Sequence, residues 1–203
     1  MRPEELSDLQ LDAIRELGSV GVGHAATALS QILGHFVGIS VPEARIVAVS
    51  DVPSMYGGAE TLVAAVYTRI LGDIEGGILF MMPRDAVLGL VDLLRSRPPG
   101  STKTLGNEEE AIAVHAATLL ISAYVAAMGR MADVNVLPSS PAFAYDMMGA
   151  VLEVVTSEIG MKADTAILVT ARFMEEDAAV DAALFYLPDP DSLDVVLGKM
   201  GVA

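Results

Sequence analysis

Two carboxylates and a hydroxyl are spaced for one helix face near the start of the sequence. Asp12 and Glu16 lie four residues apart, and Ser19 follows three residues after Glu16. On an α-helix all three side chains project from the same side. A serine hydroxyl donates and accepts hydrogen bonds, so it is able to hold a water molecule. A carboxylate pair on an exposed helix face more often serves only solubility.

A long amphipathic helix, predicted from about Ser7 to Gly34, positions these three residues. Apolar residues recur between the polar ones at helical spacing and supply a stripe that can pack on a core: Ile14, Leu17, Val20, Ala28, Leu29 and Ile32. Gly18, Gly21 and Gly23 lack the order of a nucleotide-binding loop, and no strand precedes them. We expect them to let the helix approach a sheet or a second helix closely.

Composition limits the function classes. The chain has 203 residues, of which 53% are hydrophobic, and its 27 acidic and 12 basic residues give a formal net charge of -15. This size allows one compact domain. The charge argues against binding to nucleic acid, since phosphate backbones require clustered Lys and Arg. The three histidines lack metal-ligand spacing and there is no cysteine, so we expect no metal site and no disulfide.

The start of the chain carries no apolar run behind basic residues, and we expect a cytoplasmic protein.

The segment Ala111–Gly129 has two features of a membrane-spanning helix. It has a single ionisable side chain, His115, and almost the length of a membrane span. Its many alanines favour a buried core helix over membrane insertion.

The predicted elements repeat in order, which indicates one domain over residues 1–203 with an internal duplication. The halves are residues 7–97 and 106–203, joined by a polar, proline-containing linker at about residues 96–105. Each half begins with a long helix, the second from about Asn107 to Arg130. Strands are expected at Arg45–Val52, Thr61–Leu71, Asp73–Met82, Ala142–Met148, Val151–Glu158, Asp164–Phe173 and Val180–Leu187. Shorter helices are expected at Arg84–Arg95 and Ser192–Met200.

The first helix resembles the signature of the CheC, CheX and FliY family of chemotaxis phosphatases. That signature has Asp or Ser, then Glu four residues on, Asn three residues later and Pro twenty-three residues further. Asp12, Glu16 and Pro42 match it, and Ser19 stands at the Asn position. Further segments resemble CheC in the expected order: Tyr56–Glu60, Gly72–Gly76, Leu137–Pro141, Tyr145–Ala150 and Leu187–Ser192.

The resemblance implies an α+β fold of two pseudo-symmetric halves, with a shared sheet and two long helices packed on one face. It implies that Glu16 pairs with a lysine of a phosphorylated CheY-type response regulator, with Asp12 in support. Ser19 would then orient the water that attacks the aspartyl phosphate. We expect weak phosphatase activity, because Ser is shorter than Asn and lacks its amide. The protein needs no cofactor of its own, since the regulator carries the Mg²⁺.

The second half departs from the signature. The resemblance places Ala111, His115 and Thr118 at the three site positions, and none is the family residue. We therefore expect the second site to be inactive.

Asp146 lies in a context that resembles the CheC surface for the receptor deamidase CheD. The alternative to a phosphatase is therefore a non-catalytic adaptor that binds CheD or the regulator and tunes adaptation. A flagellar switch component, as FliY is, is less favoured, because the sequence shows no additional domain. We expect a monomer.

Overall fold

The computed structural model of the chain describes residues 6–158, 165–175 and 178–202. Its helices and strands follow one another as α1 (Asp8–Leu33), β1 (Gly38–Ala48), α2 (Val52–Met55), β2 (Leu62–Gly72), β3 (Gly76–Pro83), α3 (Arg84–Leu94), α4 (Asn107–Ala132), β4 (Val136–Pro138), β5 (Ala142–Met147), α5 (Met148–Glu158), β6 (Thr165–Glu175), β7 (Ala178–Pro188) and α6 (Pro190–Lys199).

The strands form one antiparallel sheet in the order β1-β6-β7-β3-β2, and β4 and β5 both pair with the outer edge of β2. This order reads the same from either edge when β1, β2 and β3 are matched with β5, β6 and β7. Strand β1 of the first half pairs with β6 of the second, and β5 of the second pairs with β2 of the first. The predicted α+β fold with a shared sheet is confirmed.

Two apolar layers cover the two faces of the sheet. On one face α1, α3, α4 and α6 pack over sheet residues such as Phe80 and Val169. On the other face α2 and α5 pack over residues such as Leu79 and Phe185. The two long helices share one face, as predicted, and they contact each other.

Gly21 lies at this contact. A Cβ added to Gly21 would lie 2.7 Å from the Cα of Tyr124 on α4, which is closer than side-chain carbons approach backbone. The expected role of this glycine in helix packing is therefore confirmed.

Several predicted element bounds are wrong. Val151–Glu158, expected as a strand, belongs to α5, in which the buried residues Met148, Val151, Leu152 and Val155 recur at helical spacing. The other differences are at strand ends. Strand β1 begins at Gly38 instead of Arg45, because an irregularity between Ser40 and Glu43 accommodates Pro42 on this edge strand.

Turns and short elements account for the remaining differences between the expected and the observed elements. Strand β3 begins at Gly76 instead of Asp73, after a turn that starts at Gly72 with a φ of 131°. Neither the short strand β4 nor the short helix α2 was expected, and Val49–Asp51, expected as the end of a strand, forms a turn of 3-10 helix. Asp164, the expected start of β6, lies outside the described residues.

Among the described helices, α4 alone is long and apolar enough to cross a membrane. Half of its most apolar stretch is buried inside the molecule. Its buried side chains, Leu120, Tyr124 and Met128 among them, pack in the core with α1 and the sheet. Helix α4 is therefore a core helix of the fold.

Candidate functional site on the first long helix

Helix α1 is fixed at both ends. The Ser7 hydroxyl accepts a hydrogen bond from the Gln10 backbone N–H, and the Gln10 side chain accepts one from the Ser7 backbone N–H, which satisfies two donors at the helix start. The Gln10 amide also donates to the Val202 carbonyl at 2.9 Å. At the other end Gly34 adopts a φ of 76° and caps the helix. A helix held in this way presents a fixed surface.

The apolar side of α1 is buried and its polar side faces solvent. Leu17 and Leu29 are buried in the core, whereas Asp12, Glu16 and Ser19 are all exposed. The structure therefore brings the three predicted residues together on one convex surface. Such a surface does not enclose a small molecule, whose sites are concave, and it suits contact with a macromolecule.

Asp12 and Glu16 differ in their partners. The Asp12 carboxylate accepts a hydrogen bond from the Arg15 guanidinium at 2.9 Å. Glu16 makes no ion pair or hydrogen bond through its carboxylate with any residue that the structure describes, so its charge is available to a cation from outside. Exposed pairs such as Asp12–Arg15 contribute little to stability, and a partner can replace Arg15 there at small cost.

Ser19 uses its proton within the helix. Its hydroxyl donates to the Arg15 carbonyl at 3.0 Å, a pattern common for serine in helices. In this conformation the oxygen presents only its lone pairs to solvent. It can accept a hydrogen bond from a water molecule, but to donate one the hydroxyl must first leave the Arg15 carbonyl.

Arg15 is the residue of this surface that the sequence analysis missed. It contacts Asp12 through its side chain and Ser19 through its carbonyl. The sequence contains the signal for this contact, because Asp12 and Arg15 are an acid and a base three residues apart, and such residues are neighbours on a helix.

The second long helix repeats the geometry without the carboxylates. Helices α1 and α4 both contain 26 residues, and Ala111, His115 and Thr118 occupy in α4 the same positions that Asp12, Glu16 and Ser19 occupy in α1. Ala111 and His115 are exposed. The Thr118 hydroxyl donates to the Val114 carbonyl at 2.7 Å, just as the Ser19 hydroxyl in α1 donates to the Arg15 carbonyl. The equivalence of the two helix faces is thus structural, and their chemistry differs.

Asp146 lies on a different face of the sheet from the α1 surface. It is exposed near the end of β5, and its carboxylate accepts a hydrogen bond from the Met147 backbone N–H at 2.7 Å. Asp146 pairs across the sheet with Val63, which belongs to the face covered by α5. It lines a groove of about 430 Å³ there, together with Ala144 and the exposed Val154. The two predicted surfaces therefore lie on opposite faces of the sheet.

Among its described residues, the candidate surface lacks the ligands of a metal site. Within the described ranges, no three His, Asp or Glu side chains are grouped closely enough to hold a metal ion. Asp12 and Glu16 form a pair without a third carboxylate or imidazole, and coordination would require more ligands.

Comparison with known proteins agrees with this architecture. No family model matches the sequence. The chain is 28% identical over 202 residues to the CheY-P phosphatase CheC of Bacillus subtilis (strain 168), and the alignment covers 98% of this chain and 97% of that protein.

Solved structures share the fold. FliY of Thermotoga maritima superposes with a TM-score of 0.73 at 17% identity, covering 97% of this chain and 98% of that one. The FliM middle domain from H. pylori superposes with a TM-score of 0.67 at 12% identity, covering 96% and 100%. The resemblance to CheC that the sequence motifs predict is therefore confirmed as a similarity over almost the whole chain, and the fold is shared with FliY and with the FliM middle domain.

Proposed function

We propose that this protein binds a phosphorylated CheY-type response regulator and hydrolyses its aspartyl phosphate slowly. The observation that carries the proposal is the exposed Glu16 carboxylate, which has no ion-pair or hydrogen-bond partner among the described residues, with the Ser19 hydroxyl one turn further along a fixed helix. These positions match the CheC signature, in a chain that aligns with CheC over almost its full length.

Each side chain has a separate role in the proposed reaction. Glu16 pairs with a lysine ammonium of the regulator and so brings the helix to the aspartyl phosphate. The Ser19 oxygen accepts a hydrogen bond from a water molecule and directs it at the phosphorus atom. The water oxygen forms the new bond to phosphorus, the bond to the aspartate oxygen breaks and leaves a carboxylate on the regulator, and the inorganic phosphate departs with the protons of the water.

Positioning and electrostatics supply most of the rate in such phosphoryl transfers, and Mg²⁺ stays a component of the regulator. A serine holds the water through one acceptor, without the second polar group of an amide. This is the reason for expecting a slow reaction. The role places the protein in the cytoplasm, where response regulators act.

A second candidate function rests on a different observation. The groove beside Asp146 has an apolar wall and an exposed acid at its rim, which is the kind of surface that another protein can cover. We propose it as the site for CheD, in which case the chain is an adaptor. Because the groove and the α1 surface lie on opposite faces, both partners can bind at once.

The deciding experiment measures phosphate release from the phosphorylated cognate regulator with and without this protein. The phosphatase proposal requires faster release than the hydrolysis of the regulator alone. Release at the background rate, together with binding of CheD, supports the adaptor instead.

A further inference from the structure

We propose that Gly23 is a clearance position, at which the backbone of the response regulator packs so closely against α1 that a side chain is excluded. The inference rests on the proposed function and extends its contact surface by one helical turn beyond Ser19. It makes Gly23 a positioning residue for docking, separate from the groups that act on phosphate.

Nothing within the described chain requires glycine at this position. Gly23 lies inside α1 and is not among the residues with positive φ, so any residue can adopt its conformation. Apart from the neighbouring backbone of α1 itself, a Cβ added there would meet no atom of the described residues within 4 Å. Gly21, two residues earlier, is the opposite case, because its Cβ would lie 2.7 Å from Tyr124. The expectation that close packing explains Gly18, Gly21 and Gly23 is therefore wrong for Gly23.

An unneeded glycine is unfavourable in a helix. It loses more backbone freedom on folding than any other residue, and alanine at the same position would stabilise the helix. The chain therefore carries a local loss of stability at an exposed position that internal packing does not explain. Contact with another molecule would account for it.

The position of Gly23 beside the candidate site favours the response regulator as the partner. Seven residues separate it from Glu16, which places the two within about 20° of each other around the helix axis and about 10 Å apart along it. Ser19 lies one turn before Gly23, and between them Val20 is 37% exposed. A regulator bound through Glu16 and Ser19 thus meets Val20 and then the helix at Gly23, where the glycine adds no side chain and its carbonyl accepts a hydrogen bond from the Thr27 hydroxyl at 3.0 Å.

The test introduces a methyl group and then a larger side chain, as Gly23→Ala and Gly23→Leu. The matched control is Ser122→Leu, because Ser122 occupies in α4 the position that Gly23 occupies in α1. Binding and phosphate release are measured with the cognate regulator phosphorylated by acetyl phosphate. Thermal unfolding and size-exclusion chromatography of each variant accompany them.

We expect Gly23→Ala to raise the Tm by roughly 2–4 °C and to weaken regulator binding roughly tenfold, with a roughly hundredfold loss for Gly23→Leu. Ser122→Leu should leave binding unchanged. A combination of higher stability and weaker binding in Gly23→Ala is not produced by a merely structural role.

Two results would overturn the clearance role while the proposed function stands. One is wild-type binding and turnover in a folded Gly23→Ala protein whose Glu16→Ala counterpart is inactive. The other is a change in the oligomeric state of Gly23→Ala at unchanged regulator affinity, which would make a second copy of the chain the occupant. If the wild-type protein neither binds nor dephosphorylates the regulator, both proposals are overturned.

Discussion

The hydroxyl of Thr102 donates to the carboxylate of Asp92 at 2.6 Å, inside the core. The backbone N–H groups of Thr102 and Ser101 donate to the same carboxylate at 2.9 Å. Burial by itself raises the pKa of Asp92, but these hydrogen bonds outweigh it and hold the pKa below its ordinary value. The segment between α3 and α4 is thus held to the end of α3 by one buried acid.

The first prediction concerns pH. A carboxyl whose pKa is lowered by folding stabilises the protein above its unfolded pKa of about 3.9, and the contribution is lost as the pH falls through the folded value. Thr102→Val should lower the free energy of unfolding at pH 7 by about 1.5–3 kcal/mol. The difference from wild type should narrow below about pH 4, measured by urea unfolding at each pH.

Ser101→Ala is the control, since Ser101 contacts Asp92 only through its backbone N–H. Equal losses at pH 7 and pH 3 in Thr102→Val would show that packing, and not the charge of Asp92, holds this segment.

The second prediction concerns Gly21. Gly21→Ala should destabilise the protein by about 1–3 kcal/mol, because its new methyl group would overlap backbone atoms of α4, which cannot rotate away. Chemical denaturation measures the loss. Gly23→Ala, two residues along the same helix, should not reduce stability, and equal effects of the two substitutions would contradict the packing assigned to Gly21.

The third prediction tests the docking acid. Glu16→Ala should abolish binding or dephosphorylation of the regulator while changing stability by less than about 0.5 kcal/mol, because an exposed side chain contributes little to folding. Phosphate release and thermal unfolding together check it. His115→Ala, at the matching position of α4, should retain wild-type turnover. A large loss of turnover in this variant would show that the active site was assigned to the wrong half of the chain.

The fourth prediction concerns the water-positioning residue. Ser19→Asn should raise the rate of dephosphorylation by roughly ten- to a hundredfold, since it restores the reach and the amide that the family signature contains. Ser19 is exposed, so the larger side chain fits without displacing neighbours. An unchanged rate would mean that the docked helix does not bring position 19 to the phosphate.

The fifth prediction separates the adaptor from the phosphatase. Asp146→Lys should weaken CheD binding, measured by titration calorimetry, because it reverses the charge at the rim of the groove between β5 and α5. The same substitution should leave regulator dephosphorylation unchanged, since Glu16 lies on the other face of the sheet. If Asp146→Lys alters neither CheD binding nor adaptation, the groove is not the CheD site.

The parts of the fold that were predictable depend on local chemistry. Ser7 and Gly34 cap α1 where the sequence places them, and the apolar period of α1 and α4 gives their buried sides. Helix α5 was missed because a short run rich in valine and leucine has the same composition as a strand. The candidate surface on α1 follows from spacing within one helix. The location of Asp146 relative to it depends on strand pairing, which no local pattern specifies.

The edge strands of the sheet tie the two halves of the chain together. Strand β1 completes the far edge beside β6, and β5 does the same beside β2, so each half places an edge strand beside the other. Domain swapping produces the same exchange of strands between two protomers, whereas here it occurs within one chain. Neither half by itself contains all the strands with which its own strands pair. The sheet therefore requires both halves, even though α4 carries no acid at the positions that Asp12 and Glu16 occupy in α1.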